Sequence, residues 1–207
     1  MFIDSFLRDY RTEPISTLVA NLGSGGVDYG VLAYTHVHLD RAPQQLRNVR
    51  FRVMGDVENI PLRSASVDLV LCVGEVLNLA SPERVVEEIS RVAKPGALLL
   101  LEFESNKSFE FIFSHAGKGN RSLINTFHND RDIVICILDP AYIYSLINRA
   151  GLELLRVRNF HIISALIYRI TRNADVAAKF ASADILLSRL PLLRHRGCNI
   201  IVGCAKR

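Results

Sequence analysis

The 207-residue chain is 49% hydrophobic with a formal net charge of +4, enough apolar content for one sizeable core. No apolar run reaches the roughly 18 residues of a membrane span, and Asp4, Arg8 and Asp9 interrupt the amino terminus where a signal peptide would be apolar. We therefore expect one cytoplasmic domain over residues 1–207, and the modest positive charge gives no reason to expect a nucleic-acid partner.

Apolar strand-like runs alternate with amphipathic helical segments along the chain. The predicted helices cover residues 1–11, 81–93 and 140–150. The predicted strands cover residues 16–22, 35–39, 49–54, 67–73, 97–103, 152–160 and 199–205. This alternation predicts an α/β fold with a doubly wound, Rossmann-like sheet of about seven strands, mostly parallel.

Glycine or acidic residues come directly after each of the first four predicted strands. The first strand ends in Asn21-Leu22-Gly23-Ser24-Gly25-Gly26, the second at Asp40, the third at Gly55-Asp56 and the fourth at Gly74-Glu75. Open parallel sheets build their ligand crevice at these carboxyl ends. A glycine loop alone is also an ordinary turn, so the series rather than the loop indicates a binding site.

The four cysteines lie in apolar surroundings without a short paired spacing, which is typical of reduced, buried thiols: Cys72, Cys136, Cys198 and Cys204. A zinc site from His195, Cys198 and Cys204 is excluded if 198–204 is one strand, because six residues separate the two sulfurs by roughly 20 Å. We expect no metal site.

Several motifs in a fixed order carry a family resemblance. They are the glycine loop, Leu39-Asp40, Gly55-Asp56, the strand beginning Val67-Asp68 and the turn Lys94-Pro95-Gly96. Together they resemble the class I S-adenosylmethionine-dependent methyltransferases of the small-molecule, methyltransferase type 11-like branch. The resemblance covers residues 16–105, and residues 146–155 resemble the helix and sixth strand of that fold, which implies an antiparallel last strand.

The resemblance implies S-adenosylmethionine as cofactor, with its methionine tail at the glycine loop, its ribose at Asp40 and its adenine at Asp56 and Val57. The implied cofactor-binding residues are Asn21, Gly23, Ser24, Gly25, Gly26, Asp40, Arg41, Asp56, Val57, Val73 and Gly74. The catalytic candidates are Glu75 and His128, the latter in a polar stretch where a lone histidine is also typical of a surface loop. Asp68 is assigned a structural role.

The glycine loop departs from the family pattern at two positions. Asn21 stands where an acidic residue is usual, and Val27 where a third glycine is usual. Substituting Asn21 with aspartate is therefore expected to leave cofactor binding equal or tighter. The short separation of Gly23 from Asp40 predicts that the first crossover helix is short or absent.

The segment at about 161–197 is predicted to be a helical lid or insertion rich in basic and apolar residues. Residues 156–196 contain eight basic residues and only two acidic ones. The basic residues are Arg156, Arg158, Arg169, Arg172, Lys179, Arg189, Arg194 and Arg196, and the acidic ones are Asp175 and Asp184. One hypothesis is that the helices of this segment pack an apolar stripe on the core and expose their charged side chains to water. The other is a surface for an anionic, lipid-like or polyketide-like acceptor, or for peripheral membrane contact.

The sequence favours a methyltransferase that acts on a small-molecule acceptor by direct displacement. A nicotinamide-dependent oxidoreductase is disfavoured because Asp28 replaces the third fingerprint glycine. A catalytically degenerate methyltransferase fold that serves as a binding or scaffold protein remains an alternative. The oligomeric state, the acceptor and the methylated atom stay open.

Overall fold

The computed structural model describes residues 2–10, 18–31, 35–111, 115–128, 131–188, 190–193 and 195–207, apart from the side chains of Phe127, His128 and Arg131. The helices are α1 (Phe2–Tyr10), α2 (Val76–Leu79), α3 (Pro82–Val92), α4 (Pro140–Arg149), α5 (Ile163–Thr171), α6 (Ala174–Ala178) and α7 (Ala181–Leu187). The strands are β1 (Leu18–Leu22), β2 (Thr35–Asp40), β3 (Arg52–Met54), β4 (Val67–Cys72), β5 (Ala93–Glu104), β6 (Arg121–His128), β7 (Arg131–Leu138), β8 (Leu152–Phe160) and β9 (Asn199–Lys206). Short 3-10 helices lie at Pro43–Leu46, Phe109–Phe111 and His115–Gly117. None of the helices in these described ranges has the length and apolar character that a bilayer crossing requires.

Seven strands form one sheet in the order β3-β2-β1-β4-β5-β9-β8. The strands from β3 to β5 in this order are parallel neighbours, and the last strands are antiparallel. The chain begins at β1, adds β2 and β3 on one side, and then returns to add β4 on the other side. This reversal places the ligand crevice of the sheet at the carboxyl ends of β1 and β4. The predicted doubly wound, seven-stranded sheet is confirmed.

Helix α3 runs directly into strand β5, whereas the sequence predicted a turn between them at Lys94-Pro95-Gly96. The helix has Pro82 in its first turn and buries an apolar face, as predicted. It ends at Val92, and β5 begins at the next residue. The register of β4 and β5 shifts between the pair Val67 and Ala93 and the pair Leu69 and Leu98. This bulge accommodates the three extra residues, with Gly96 at φ 78°.

Over residues 23–31, the connection from β1 to β2 differs from the crossover helix that usually comes after a glycine loop in such sheets. Residues 23–31 form turns and no helix, and residues 32–34 lie outside the described part of the chain. Gly30 has φ 76° and marks one of these turns. Within residues 23–31 the loop therefore agrees with the prediction of a short or absent first helix.

A second, two-stranded antiparallel sheet, formed by β6 and β7, was not predicted. The two strands pair along their full length, from Arg121 with Leu138 to His128 with Arg131. The alternating isoleucines of β7 supply the apolar face, and Ile135 and Ile137 form a buried cluster with a phenylalanine. His128 is thus the last residue of β6 rather than part of a loop.

Two compact units divide the chain. The first comprises Met1–Glu102, Tyr144–Val157 and Val202–Arg207, and the second Phe103–Ile143 and Arg158–Ile201. In the first unit, α1 covers the sheet at β9, where Phe6 is fully buried. A Cβ on Gly203 would lie 2.2 Å from the Phe6 ring, so only glycine leaves room for the aromatic side chain at that position.

Candidate functional site

The carboxyl ends of β1, β2 and β3 are joined by hydrogen bonds into one edge. The amide of Gly23 donates to the Leu39 carbonyl at 2.8 Å, and the amide of Gly25 donates to Asp40 Oδ2 at 3.0 Å. The amide of Gly55 donates to the Asp40 carbonyl at 3.2 Å. The structure thus brings together the residues that the sequence placed after three successive strands.

Asn21, the residue before the last of β1, is a fully buried polar residue. Its Nδ2 donates to the carbonyl of Val27 at 2.6 Å, which ties the far end of the glycine loop back to the strand. Its Oδ1 is buried and has no hydrogen-bond partner among the described residues. A buried oxygen without a donor is destabilising in isolation, so this atom is suited to accept a hydrogen bond from a bound ligand.

The glycine loop uses its conformational freedom to fold tightly against β2. Gly23, Gly25 and Gly26 have φ of 61°, 53° and 80°. The amides of residues 23–26 all donate within the chain, to the Leu39 carbonyl, to Asp40 Oδ2 and to the Ser24 hydroxyl. A ligand that used these amides would share or replace those bonds. Gly25 is exposed, and a Cβ there would meet nothing within 4 Å.

Asp40 is held in a fixed orientation by two backbone donors. Its Oδ2 accepts from the Gly25 amide, and its Oδ1 accepts from the Ala42 amide at 2.9 Å. A carboxylate has about four acceptor positions, so two remain for a ligand such as a ribose diol. The side chain is partly exposed, which leaves those positions accessible.

Asp56 and Arg41 form an ion pair at the ends of β3 and β2. Asp56 Oδ1 also accepts from the Glu58 amide at 2.9 Å. This backbone hydrogen bond, together with the Arg41 guanidinium, lowers the pKa of Asp56 and keeps it ionised. The structure thus places Arg41 and Asp56 in contact, and both were predicted to bind the cofactor. Val57, which comes after Asp56, is buried.

The end of β4 supplies a second group of polar atoms. Val73 is buried, and the exposed Gly74 donates its amide to Glu102 Oε2 at 2.9 Å. The Tyr29 hydroxyl lies close to this point, because a Cβ on Gly74 would be 3.3 Å from it. Burial, with a smaller effect of Glu102, raises the pKa of Tyr29, so its hydroxyl stays protonated.

Tyr29 was not predicted as a site residue, because an aromatic residue in a loop is not distinctive by itself. The nearest available signal was its position within the stretch that replaces the crossover helix. Of the two catalytic candidates, Glu75 is partly exposed at φ 64°, a left-handed conformation, next to Gly74. The His128 side chain lies outside the described residues, so its position relative to the site stays a prediction.

The donor and acceptor set fits the expected cofactor. Asn21 Oδ1 is a buried acceptor without a partner among the described residues, which suits the amine of a methionine tail. The remaining acceptor positions of Asp40 suit a ribose diol, and the ionised Asp56 suits an adenine amino group.

Residues 21–101 match the family model of a methyltransferase domain. This stretch runs from Asn21 at the end of β1 into β5 and includes every predicted cofactor-binding residue. No curated protein matches the chain by sequence.

Solved structures share the fold at low sequence identity. A candidate S-adenosylmethionine-dependent methyltransferase from Listeria monocytogenes has a TM-score of 0.68 and 10% identity, with 97% of this chain and 96% of that chain covered. The Burkholderia thailandensis 1,6-didemethyltoxoflavin-N1-methyltransferase, solved with 1,6-didemethyltoxoflavin and S-adenosylhomocysteine, has a TM-score of 0.54 and 11% identity, with 93% and 72% covered. The [4+2]-cyclase SpnF has a TM-score of 0.60 and 15% identity, with 99% and 79% covered. The predicted resemblance to the class I S-adenosylmethionine-dependent methyltransferases is confirmed.

Proposed function

We propose that the protein is an S-adenosylmethionine-dependent methyltransferase that transfers a methyl group by direct displacement to a small-molecule acceptor. The observation that carries this proposal is the set of acceptors at one sheet edge: Asn21 Oδ1, unpartnered among the described residues, the oriented Asp40 carboxylate and the ionised Asp56. The match of residues 21–101 to a methyltransferase domain supports it.

In the proposed site, each acidic or amide group binds one part of the cofactor. Asn21 Oδ1 accepts from the amine, Asp40 accepts from the ribose hydroxyls and Asp56 accepts from the adenine amino group. Arg41 holds Asp56 in its ionised form and in place. S-adenosylmethionine, when bound, supplies an activated methyl group on a positively charged sulfur.

The residues at the end of β4 position the acceptor. The rate of methyl transfer depends on alignment of the reacting atoms. Groups that hold the acceptor beside the transferred methyl are therefore expected to contribute more to the rate than proton transfer does. The protonated Tyr29 hydroxyl is a hydrogen-bond donor at this point, and Gly74 leaves space beside it. Glu75, next to Gly74, is the candidate base for a hydroxyl acceptor.

Calorimetric titration separates the possible functions. We expect saturable heat at a single site with S-adenosylmethionine and with S-adenosylhomocysteine, and no heat with NAD, because the acceptors of the site match a methionine tail and a nucleoside. Heat with NAD alone would indicate an oxidoreductase. Absence of heat with all three would favour a degenerate binding or scaffold protein. The [4+2]-cyclase SpnF shares this fold, so an activity assay with product detection must accompany the titration.

We propose in addition that the second unit carries a surface for an anionic, lipid-like ligand. In the second unit, helices α5 to α7 and the residues after them expose large apolar side chains. The most exposed are Ile170, Ile185, Leu186 and Leu192, at 71%, 58%, 65% and 87%. These residues belong to the segment with the excess of basic residues, although Arg189 and Arg194 lie outside the described residues. Exposed apolar side chains in a segment with a surplus of basic residues suit a ligand with a negative headgroup and an apolar tail.

Co-sedimentation with vesicles tests this surface. We expect the protein to sediment with vesicles that contain anionic lipid at low salt, and less as salt increases, because screening weakens the contribution of charge. Leu192→Ser should reduce the bound fraction by severalfold, whereas Leu123→Ser, at another exposed leucine of the second unit, should not. Equal sedimentation with purely zwitterionic vesicles, or none with either, would contradict an anionic lipid-like ligand.

A further inference from the structure

Two buried histidines of β2 and one carboxylate from the loop before it form a compact cluster. Asp28 Oδ1 lies 3.1 Å from His36 Nδ1 and 3.0 Å from His38 Nε2. The histidine side chains are 7% and 2% exposed, whereas that of Asp28 is 38% exposed. The three atoms lie within 4.8 Å of one another, so the cluster presents convergent ligand atoms with access from one side.

The local fold explains why these side chains meet. His36 and His38 are two residues apart on a strand, so they face the same side of the sheet. Their ring centroids are 5.5 Å apart. Asp28 lies in the loop that occupies the place of the first crossover helix, and that loop brings its carboxylate over the two rings.

We propose that Asp28, His36 and His38 bind a divalent transition-metal ion, with Zn²⁺ the best match. Two imidazoles and a carboxylate are a common ligand set for zinc. Around a tetrahedral ion with bond lengths of about 2.0–2.1 Å, ligand atoms lie about 3.3 Å apart. The two distances from the carboxylate oxygen to the nitrogens are already close to this value. The two nitrogens need to approach each other by at most about 1.5 Å from the 4.8 Å limit, which requires the rings to rotate.

Each histidine would bind the ion through one nitrogen of its neutral ring. When the ion is bound, the ring protons reside on His36 Nε2 and His38 Nδ1, the two distal nitrogens. Both are buried and have no hydrogen-bond partner among the described residues. Missing outer partners typically weaken metal affinity 10- to 100-fold, so we expect weaker Zn²⁺ binding than at a site whose ligands have such partners.

Metal binding would also affect the neighbouring loop. Asp28 comes directly after Val27, whose carbonyl accepts from Asn21. An ion held by Asp28 and by two residues of β2 would therefore fasten the glycine loop to the sheet. Because the ligand set does not include a proposed cofactor contact, metal binding does not depend on the proposed methyltransferase activity.

The test is a calorimetric titration of the chelator-treated full chain with ZnCl₂, together with thermal unfolding. We expect binding of a single Zn²⁺ per chain, a rise in Tm, and no binding of Mg²⁺, which prefers oxygen ligands. Asp28→Asn and His38→Gln should each weaken Zn²⁺ affinity at least tenfold. The first of these variants keeps the shape of a partly exposed side chain, so it tests the proposal even if the second variant fails to fold.

Two further variants control for Zn²⁺ bound elsewhere. His115→Gln removes an exposed histidine and Cys136→Ser removes the partly exposed thiol, and neither should change the affinity. Absence of Zn²⁺ binding to the unmodified chain would overturn the proposal. So would an affinity that is unchanged in Asp28→Asn, or one that is lost in His115→Gln or Cys136→Ser.

Discussion

Replacing Asp40 with alanine is expected to weaken S-adenosylmethionine binding about 100-fold or more while the chain still folds. The carboxylate is oriented by the Gly25 and Ala42 amides, and in the proposed site it accepts from both ribose hydroxyls. Hydrogen bonds to a charged acceptor contribute about 1.5–3 kcal/mol each, and about 1.4 kcal/mol corresponds to a tenfold change in affinity. Isothermal titration calorimetry measures the change.

Asp68→Ala is the matched control. Asp68 also accepts from one backbone amide, that of Leu18 at 2.9 Å, and it pairs with Lys94 at 2.8 Å. It lies on β4 and belongs to no proposed ligand contact, so its loss should lower Tm and leave the dissociation constant within about twofold. If Asp40→Ala folds and binds the cofactor as tightly as the unmodified chain, the ribose assignment is wrong.

Replacing Asn21 with aspartate is expected to lower the free energy of unfolding by roughly 3 kcal/mol at neutral pH, as is typical for a buried charge without a partner. The sequence alone predicted equal or tighter cofactor binding, because an acid is usual at this position. The structure adds the Val27 carbonyl, which accepts from Asn21 Nδ2 at 2.6 Å. A carboxylate there would face that carbonyl without a donor, and it would no longer hold the glycine loop. We therefore expect weaker binding at neutral pH.

The pH dependence of this variant distinguishes the mechanism from a packing defect. Burial raises the folded-state pKa of the new carboxyl above its unfolded value of about 3.9. Relative to the unmodified chain, the variant should thus be least destabilised below about pH 4, where the protonated acid can donate to Val27. Its stability should fall as the pH rises through the raised folded-state pKa. Urea unfolding at several pH values measures this, with the exposed Asn125→Asp as control. A stability difference that does not vary with pH would contradict the explanation.

The fold was largely predictable because its strands are marked by their apolar composition and by the glycine or acidic residues at their carboxyl ends. The run from Val67 to Val73 is nearly all apolar, as expected of a strand covered on both faces, and a glycine ends it. Asp40 and Asp56 lie at the ends of parallel neighbours, so predicting a mostly parallel sheet was enough to bring them to one edge.

Features that depend on contacts between distant residues were not predictable in the same way. The pairing of β6 with β7 was not predicted, although Asn129 and Asp130 between them are residues that turns favour. The bulge beside Gly96 depends on the register with β4. The cluster of Asp28, His36 and His38 requires a loop conformation that no periodicity encodes. The spacing of His36 and His38, two residues apart on one strand, was the feature that could have indicated the cluster, since it places both rings on one face.

The lack of a helix within residues 23–31 affects which charges the glycine loop can stabilise. In dinucleotide-binding sheets, the amino terminus of the crossover helix carries a partial positive charge that stabilises a pyrophosphate. Residues 23–31 contain no helix, and an acidic side chain, Asp28, lies within this loop. The loop thus offers no helix macrodipole to a phosphate, while the carboxylates at the sheet edge favour a cation. We therefore expect this crevice to bind a positively charged cofactor more tightly than a doubly phosphorylated one.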